Sequence, residues 1–432
     1  MDQVPPIEPP STPPAGGGLR ILRPLRIRDF SLLFGGTTVS LLGDGISLVA
    51  IAWQAYDLSN TPTALSIVGV AWTLPMVLFL LVGGVLGDRF DRRFLMIAGD
   101  ALRAVAMGAI AALALADVLE LWHLVALVGV FGAGEAIFAP NFQAVIPDVV
   151  PERLLVQANS LQQLAEPVAF RFVGPAIGGA LIAAFGTGPA FAIDAATFAV
   201  SMGCIALMAP LPAARGDSRA SVREDIREGL SFVRSQTWLW ATFLSAALTL
   251  LLFLGPFEVL LPYIVKNDLD GGADVLGIIL GASGVGAIVS GLILGQRGIG
   301  RRFVLWAYVG WTVSVFCLVG YALATAAWQA VLIGFVAGIG FTVGNIVWVT
   351  MMHRYVPTHL LGRVSALDWL VSIGLTPISF ALAGPLAEAF GAEATLIGAG
   401  VLAAIASGVF LAVPGIREPE RWAAEAAATS RA

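Results

Sequence analysis

The sequence predicts an all-α membrane protein whose twelve transmembrane helices form two six-helix bundles. Hydrophobic residues make up 58% of the chain and charged residues only 12%, whereas soluble domains contain roughly half and a quarter. Apolar stretches such as 64–86 exceed the roughly 20 residues that cross a bilayer as a helix. In addition, segments of the first half of the chain recur in the second half in the same order.

The chain begins with a segment, 1–30, that we predict to be a disordered tail followed by a basic lead-in. Its first nineteen residues are rich in proline and glycine and lack the basic start and apolar core of a signal peptide. Four arginines between residues 20 and 30 then precede the first apolar segment.

Twelve apolar segments are the predicted spans. They cover 31–56, 64–87, 94–116, 121–143, 159–185, 189–210, 237–264, 273–296, 303–322, 326–350, 364–389 and 393–414. The first six form an N-terminal bundle over 31–210, and the last six form a C-terminal bundle over 237–414. Residues 211–236 form a cytoplasmic linker, either as an amphipathic helix on the inner membrane surface or as a solvated connection. Residues 415–432 form a cytoplasmic tail.

The distribution of basic residues predicts the orientation. An even number of spans places both termini on one side of the membrane. Lys266, the only lysine of the chain, is the only basic residue in the loops of the other side. The positive-inside rule therefore predicts that both termini are cytoplasmic.

An internal repeat relates the two bundles. "VPERLLVQANSL" (150–161) aligns without gaps with "VPTHLLGRVSAL" (356–367), and "GAGE" (132–135) falls on "GIGF" (338–341) at the same offset. Such six-span repeats are typical of secondary transporters, whose substrate site lies near the membrane midplane between the halves.

The stretch "GGVLGDRFDRR" (83–93) concentrates charge at the end of the second span. Its glycines, acid and arginines match the pattern G-x-L-x-D-R-x-G-R-R/K, except that Asp91 replaces a glycine. With this motif, residues 26–415 resemble the major facilitator superfamily. The resemblance implies a conformational gate, in which the acid caps the start of span eleven in one state of the transporter. The gate residues are Gly84, Gly87, Asp88, Arg89, Arg92 and Arg93. The alternative is that the arginines only anchor the loop.

A second motif lies in span five. Gly174, Pro175, Gly178 and Gly179 match the core of a motif of drug:proton antiporters in the same superfamily. The resemblance implies a bend that controls the outer seal, and the alternative is an ordinary membrane-helix kink. The segments 151–161 and 191–198 further resemble the branch that contains macrolide-efflux proteins and the enterobactin exporter.

Charged residues inside the spans are the candidates for proton coupling, because charges in a membrane are costly and usually functional. The candidates are Asp44, Glu135, Glu166 and Arg171. Asp100 and Arg103 are spaced to form an ion pair on one helix face. Members of the family often carry an arginine in span four that takes part in proton coupling. This chain has Val128 at that position, so the resemblance does not supply a mechanism of proton coupling.

Aromatic residues within the spans are the candidates for the substrate cavity, since they suit a bulky amphipathic compound. These are Trp53, Trp72, Phe138, Phe257, Phe341 and Trp348. The alternative is that most of them pack between helices or face lipid.

Together these observations predict a secondary active transporter in the bacterial inner membrane. We expect proton-coupled efflux of a small amphipathic compound, such as a drug, a macrolide-like compound or a siderophore, by a monomer in the lipid bilayer. An importer or facilitator of a metabolite is the alternative within the fold. A membrane-embedded enzyme or sensor is disfavoured, because there is no phosphate loop and no histidine has metal-ligand spacing. No cofactor, metal or nucleic acid is predicted.

Overall fold

The computed structural model describes residues 20–87, 90–209 and 222–429, which form helices joined by short loops with no strand among them. Twelve helical stretches are long and apolar enough to cross a membrane, as the sequence predicts. The first six spans are Arg28–Leu58, Pro62–Gly87, Arg92–Leu115, Leu121–Val149, Gln157–Phe185 and Thr187–Ala206. The last six are Thr237–Asn267, Ala273–Arg297, Phe303–Ala322, Ala327–Tyr355, Leu360–Phe390 and Ala392–Ala412.

Two spans are interrupted near their middle. Span five passes from Leu155–Glu166 through the π-helical segment Pro167–Val173 to Gly174–Phe185. Span eleven is interrupted at Leu375, between the helices Thr358–Gly374 and Thr376–Phe390.

Several spans extend beyond their predicted ends. Span four, for example, continues six residues past 143 to Val149, even though Pro140 and Pro147 lie within it. As a result Glu135 lies in the middle of this span, fourteen residues from each end.

The spans alternate in direction, so the loops form two faces. We call the side with the start of span one, the end of span twelve and the loops at 90–91 and 298–302 the terminal face. The side with the loops at 59–61, 116–120 and 268–272 is called the opposite face.

The two halves meet near the opposite face. One continuous apolar core there contains buried residues of both halves, among them Val49 and Ile110 of the first and Leu260 and Phe380 of the second. The three remaining apolar clusters each contain residues of one half only. Among the described residues, the bundles therefore share an apolar core near the opposite face and share none toward the terminal face. We call the region between the two bundles on that side the central space.

The internal repeat is visible in the packing of its glycines. A methyl group on Gly134 would lie 2.8 Å from the backbone oxygen of Gly99 in span three. A methyl group on Gly340 would lie 2.4 Å from the backbone oxygen of Gly310 in span nine. Spans three and four thus approach each other as spans nine and ten do, as small residues allow in membranes.

Two helices outside the membrane pack on the second half at the terminal face. The linker helix, Val222–Ser235, forms an ion pair between Glu228 and Arg363 at the start of span eleven. The C-terminal helix, Glu418–Thr429, places Glu420 Oε1 2.9 Å from the backbone nitrogen of Val304. Glu420 thereby accepts from an unpaired N–H at the start of span nine, which is where a carboxylate is most favourable. The linker helix thus packs on the protein; its cytoplasmic placement stays a prediction.

Candidate transport pathway

A buried charged network lies inside the first half. Four carboxyl groups from four spans, those of Asp44, Asp100, Glu135 and Asp194, share this region with one guanidinium, that of Arg103, and the other four residues all act electrostatically on Asp44. The ion pair between Arg103 and Asp100 that the sequence predicts is present. An excess of acids over bases at this depth is costly, so each group needs partners.

Close contacts hold the network in place. Asp194 is fully buried and accepts a hydrogen bond from Ser47 of span one. The Arg103 guanidinium carbon lies 4.4 Å from the ring centroid of Phe138 and 4.5 Å from that of Phe198. Both rings therefore stabilise the cation through their faces.

Glu135 is less buried than three other members of this network, Asp100, Arg103 and Asp194. It is half-buried and accepts a hydrogen bond of 2.8 Å from the indole nitrogen of Trp72 in span two. This bond fixes the carboxylate orientation, and it joins a predicted proton-coupling residue to a predicted cavity residue.

The side chain of Arg171, in the first half, contacts a residue of the second half. Arg171 lies fourteen residues from each end of span five, within the π-helical segment, and its side chain is exposed. Its guanidinium carbon is 5.8 Å from the ring centroid of Phe341, in the middle of span ten. Glu166, one turn earlier in span five, is also exposed.

Fewer charges lie within the spans of the second half. Glu258 is half-buried in span seven, nine residues from its end, and Arg171 acts on it electrostatically. Asp368 in span eleven accepts a hydrogen bond of 3.2 Å from the indole nitrogen of Trp348. Each half therefore pairs one carboxylate with one tryptophan near the central space.

The segment from Pro167 to Pro175 explains the shape of span five. Pro175 has no amide hydrogen to donate to the carbonyl of Arg171, so the α-helical ladder cannot continue there. Just before it, the Gly174 N–H donates to the Ala169 oxygen, which is the i to i−5 bond of a π-helix. The sequence predicted a bend here but not a π-helix, a form often found at functional sites.

The glycines of the same motif contact different partners. A methyl group on Gly174 would lie 2.7 Å from the Gly45 Cα of span one. A methyl group on Gly179 would lie 3.0 Å from the Gly277 Cα of span eight, in the second half. The motif therefore packs span five within its own bundle and against the other bundle.

Polar contacts close the opposite face. The Lys266 ammonium lies 2.5 Å from a carboxylate oxygen of Asp57. Two amides, Asn60 and Asn267, exchange hydrogen bonds, the shorter being 2.7 Å. We call this set of four residues the opposite-face latch. Beside it, the Tyr56 hydroxyl donates to the backbone oxygen of Val259 at 2.6 Å.

The loop motif at 90–93 contacts only the first half in its described part. Arg92 binds Asp148 at 3.0 Å, and Arg93 donates to the backbone oxygen of Ile205 at 2.9 Å, so both tie span ends together. Asp91 accepts from the backbone nitrogen of Arg93 at 2.9 Å and begins span three as its N-cap, with φ −60°. A glycine is therefore not required at this position.

Two of the four remaining gate residues, Gly84 and Gly87, are among the described residues. Gly87 ends span two and packs against the side chain of Asn141, and Gly84 lies one turn earlier. Asp88 and Arg89 lie outside the described residues. The gate itself stays a prediction.

The aromatic candidates occupy different environments. Phe138 and Trp348 are buried, whereas the other four are partly exposed. The Lys266 ammonium at the opposite face lies over the Trp53 ring, 5.3 Å from its centroid. Phe257 stacks on Phe253 with a distance of 5.2 Å between ring centroids. Only Trp72, Phe341 and Trp348 contact charged groups that border the central space.

Two repeated bundles that enclose a space open at one face define a multi-pass secondary transporter. The chain belongs to the transmembrane secretion effector family of the major facilitator superfamily, whose family model matches residues 20–429. Multidrug efflux pump Tap of Mycolicibacterium fortuitum is 26% identical over 408 residues, covering 90% of this chain and 96% of that protein. Macrolide efflux protein A of Streptococcus pyogenes is 26% identical over 246 residues, covering 56% and 60%.

Solved structures show the same fold. A POT family transporter in complex with a thioalcohol-conjugated peptide aligns with a TM-score of 0.70 at 12% identity, over 91% of this chain and 96% of that one. At this identity the likeness concerns the fold alone. The family and its structural neighbours are transporters and not enzymes.

Proposed function

We propose that the protein exports a small amphipathic compound in exchange for protons, by alternating access between its two halves. The observation that carries this proposal is the excess of carboxyl groups in the first half. Four acids share the single buried cation Arg103 there, and one of them, Glu135, is only half-buried and is held by Trp72. Carboxyl groups at this depth can bind and release protons as the site opens to water on either side.

The direction of transport is supported by the relatives, two of which are named efflux proteins. The central space opens toward the terminal face, which we propose is cytoplasmic in the bacterial inner membrane. An exporter in this state would collect its cargo from the cytoplasm. We propose that one chain suffices, since both halves of the pathway come from it.

The test is uptake into inside-out membrane vesicles, whose interior is acidified by respiration. We expect accumulation of ethidium or radiolabelled erythromycin that nigericin abolishes. Glu135→Gln removes a proton-binding group but keeps the shape and the bond from Trp72, so accumulation should fall to the level of empty vesicles.

The matched control is Glu393→Gln. Glu393 is exposed in the first turn of span twelve at the opposite face, far from the network, and this variant should accumulate both compounds normally. Wild-type accumulation by Glu135→Gln, at equal protein level, would contradict the proposed role of the network.

A further inference from the structure

We infer that the cargo is a hydrophobic organic cation, and that Arg171 fills its subsite between Phe341 and Glu258 when no cargo is bound. The inference rests on the proposed export function and specifies the chemistry of its cargo. It follows from how one flexible cation of the first half meets an aromatic ring and an acid of the second.

The first observation is the position of Arg171. Arg171 and Phe341 are both at the midpoint of their spans, in opposite halves. The guanidinium lies near the ring of Phe341, and a second ring, that of Phe170, is 5.6 Å from it. A planar delocalised cation within about 6 Å of two ring centroids has the interactions that an aromatic site would give a bound organic cation.

The second observation is the acid that faces it. Glu258 is half-buried roughly 14 Å from the end of span seven, counted at 1.5 Å per residue. Arg171 acts on it electrostatically, yet these two described residues do not form a contact ion pair. The arginine therefore balances the charge of Glu258 through space, and a second cation could take over this role at shorter distance.

The third observation is the charge around the central space. Among the described residues in the interior of the spans, four acids border it or lie beside it, Glu135, Glu166, Glu258 and Asp368, against one exposed cation, Arg171, since Arg103 is buried and paired with Asp100. An anionic cargo would be repelled by four carboxylates. A cationic cargo would be repelled by one side chain, which is long, flexible and exposed. The balance favours a cation.

The test uses two ions of the same shape and opposite charge, tetraphenylphosphonium and tetraphenylborate. Their binding to the purified full chain in detergent is measured by equilibrium dialysis, with empty micelles subtracted. Wild-type protein should bind the phosphonium at least tenfold more tightly than the borate.

Three variants separate the contributions. Glu258→Gln should weaken phosphonium binding by about tenfold, which corresponds to the ~1.4 kcal/mol of one charge interaction. Phe341→Leu keeps an apolar side chain but removes the ring, and should weaken binding about threefold. Arg171→Ala removes the competing cation, so it should strengthen phosphonium binding, a direction that a merely structural arginine would not produce.

Glu388→Gln is the control, since Glu388 is exposed near the opposite-face end of span eleven, and it should bind as the wild type does. Thermal unfolding of each variant shows whether it is folded.

The inference is overturned if the wild type prefers the borate or binds neither ion, if Glu258→Gln binds normally, or if Arg171→Ala binds the phosphonium more weakly. These measurements need no proton gradient. Failure of driven uptake with normal binding would therefore refute the coupling and leave the cation site intact.

Discussion

At the scale of single residues, the network of the first half depends on one close approach between spans one and six. Gly43 of span one has no side chain, and the Asp194 carboxylate and the Thr197 hydroxyl occupy the space where one would lie. Ser47, one turn further, donates to the same carboxylate. A small residue at position 43 therefore lets a buried acid pack directly on a helix backbone.

Gly43→Ala should disturb this contact. The added methyl group would overlap with Asp194 and Thr197, and overpacking of this kind typically costs about 1–3 kcal/mol. We expect a lower midpoint of thermal unfolding and weaker proton-driven uptake. Gly35→Ala, in the same span but with nothing within 4 Å of the added group, should change neither. An unchanged midpoint for Gly43→Ala would show that the approach is looser than described.

The sequence identified the charged residues but not their partners. Composition marks Asp44 and Glu135 as unusual because they interrupt apolar runs. Which helix faces them depends on tertiary packing, so the bonds from Ser47 to Asp194 and from Trp72 to Glu135 could not be predicted. The Asp100–Arg103 pair could be, since it needs only the spacing within one helix.

At the scale of elements, span five packs against both bundles. Consecutive helical residues differ by about 100° in direction, so Gly178 and Gly179 meet different neighbours. Gly178 packs on Ile46 of its own bundle, and Gly179 packs on Ala273 and Gly277 of the other. The sequence predicted a bend at this motif, but not that two adjacent glycines would pack against different bundles.

Gly179→Ala should weaken the seal at the opposite face. The new methyl group would lie 2.5 Å from the Ala273 backbone oxygen, and a backbone atom cannot turn away as a side chain can. We expect a several-fold faster passive proton leak through proteoliposomes without cargo. Gly203→Ala, which adds a methyl group where nothing lies within 4 Å, is the control. Equal leak rates for both variants would contradict the sealing role.

At the scale of the whole molecule, the shared apolar core and the latch keep the opposite face closed while the terminal face is open. The helix count was predictable because hydropathy alone determines which segments cross a membrane. The state of the two faces was not, because it depends on contacts between residues some 200 positions apart, such as Asp57 and Lys266. The sequence marked Lys266 as the single lysine of the chain and the one basic residue in the predicted outer loops, but it did not indicate its partner.

The small energy of its ion pair indicates that the opposite-face latch shifts the equilibrium between the two transport states but does not fix the protein in one of them. Asp57 is half-exposed, and exposed ion pairs contribute about 0–1 kcal/mol. Lys266→Met removes the pair but keeps an apolar stem against Trp53. It should therefore raise the population with an open opposite face by up to about fivefold, with little effect on folding.

The most direct test of alternating access is a pair of spin-label distances, measured by double electron–electron resonance in chains whose Cys204 and Cys317 are replaced by alanine. One pair, Val118 and Leu323, reports on the opposite face, and the other, Leu207 and Arg301, reports on the terminal face; all four are exposed. In Lys266→Met, the first distance should gain a longer population, while the second gains a shorter one. A longer distance at the opposite face without a shorter one at the terminal face would contradict the account.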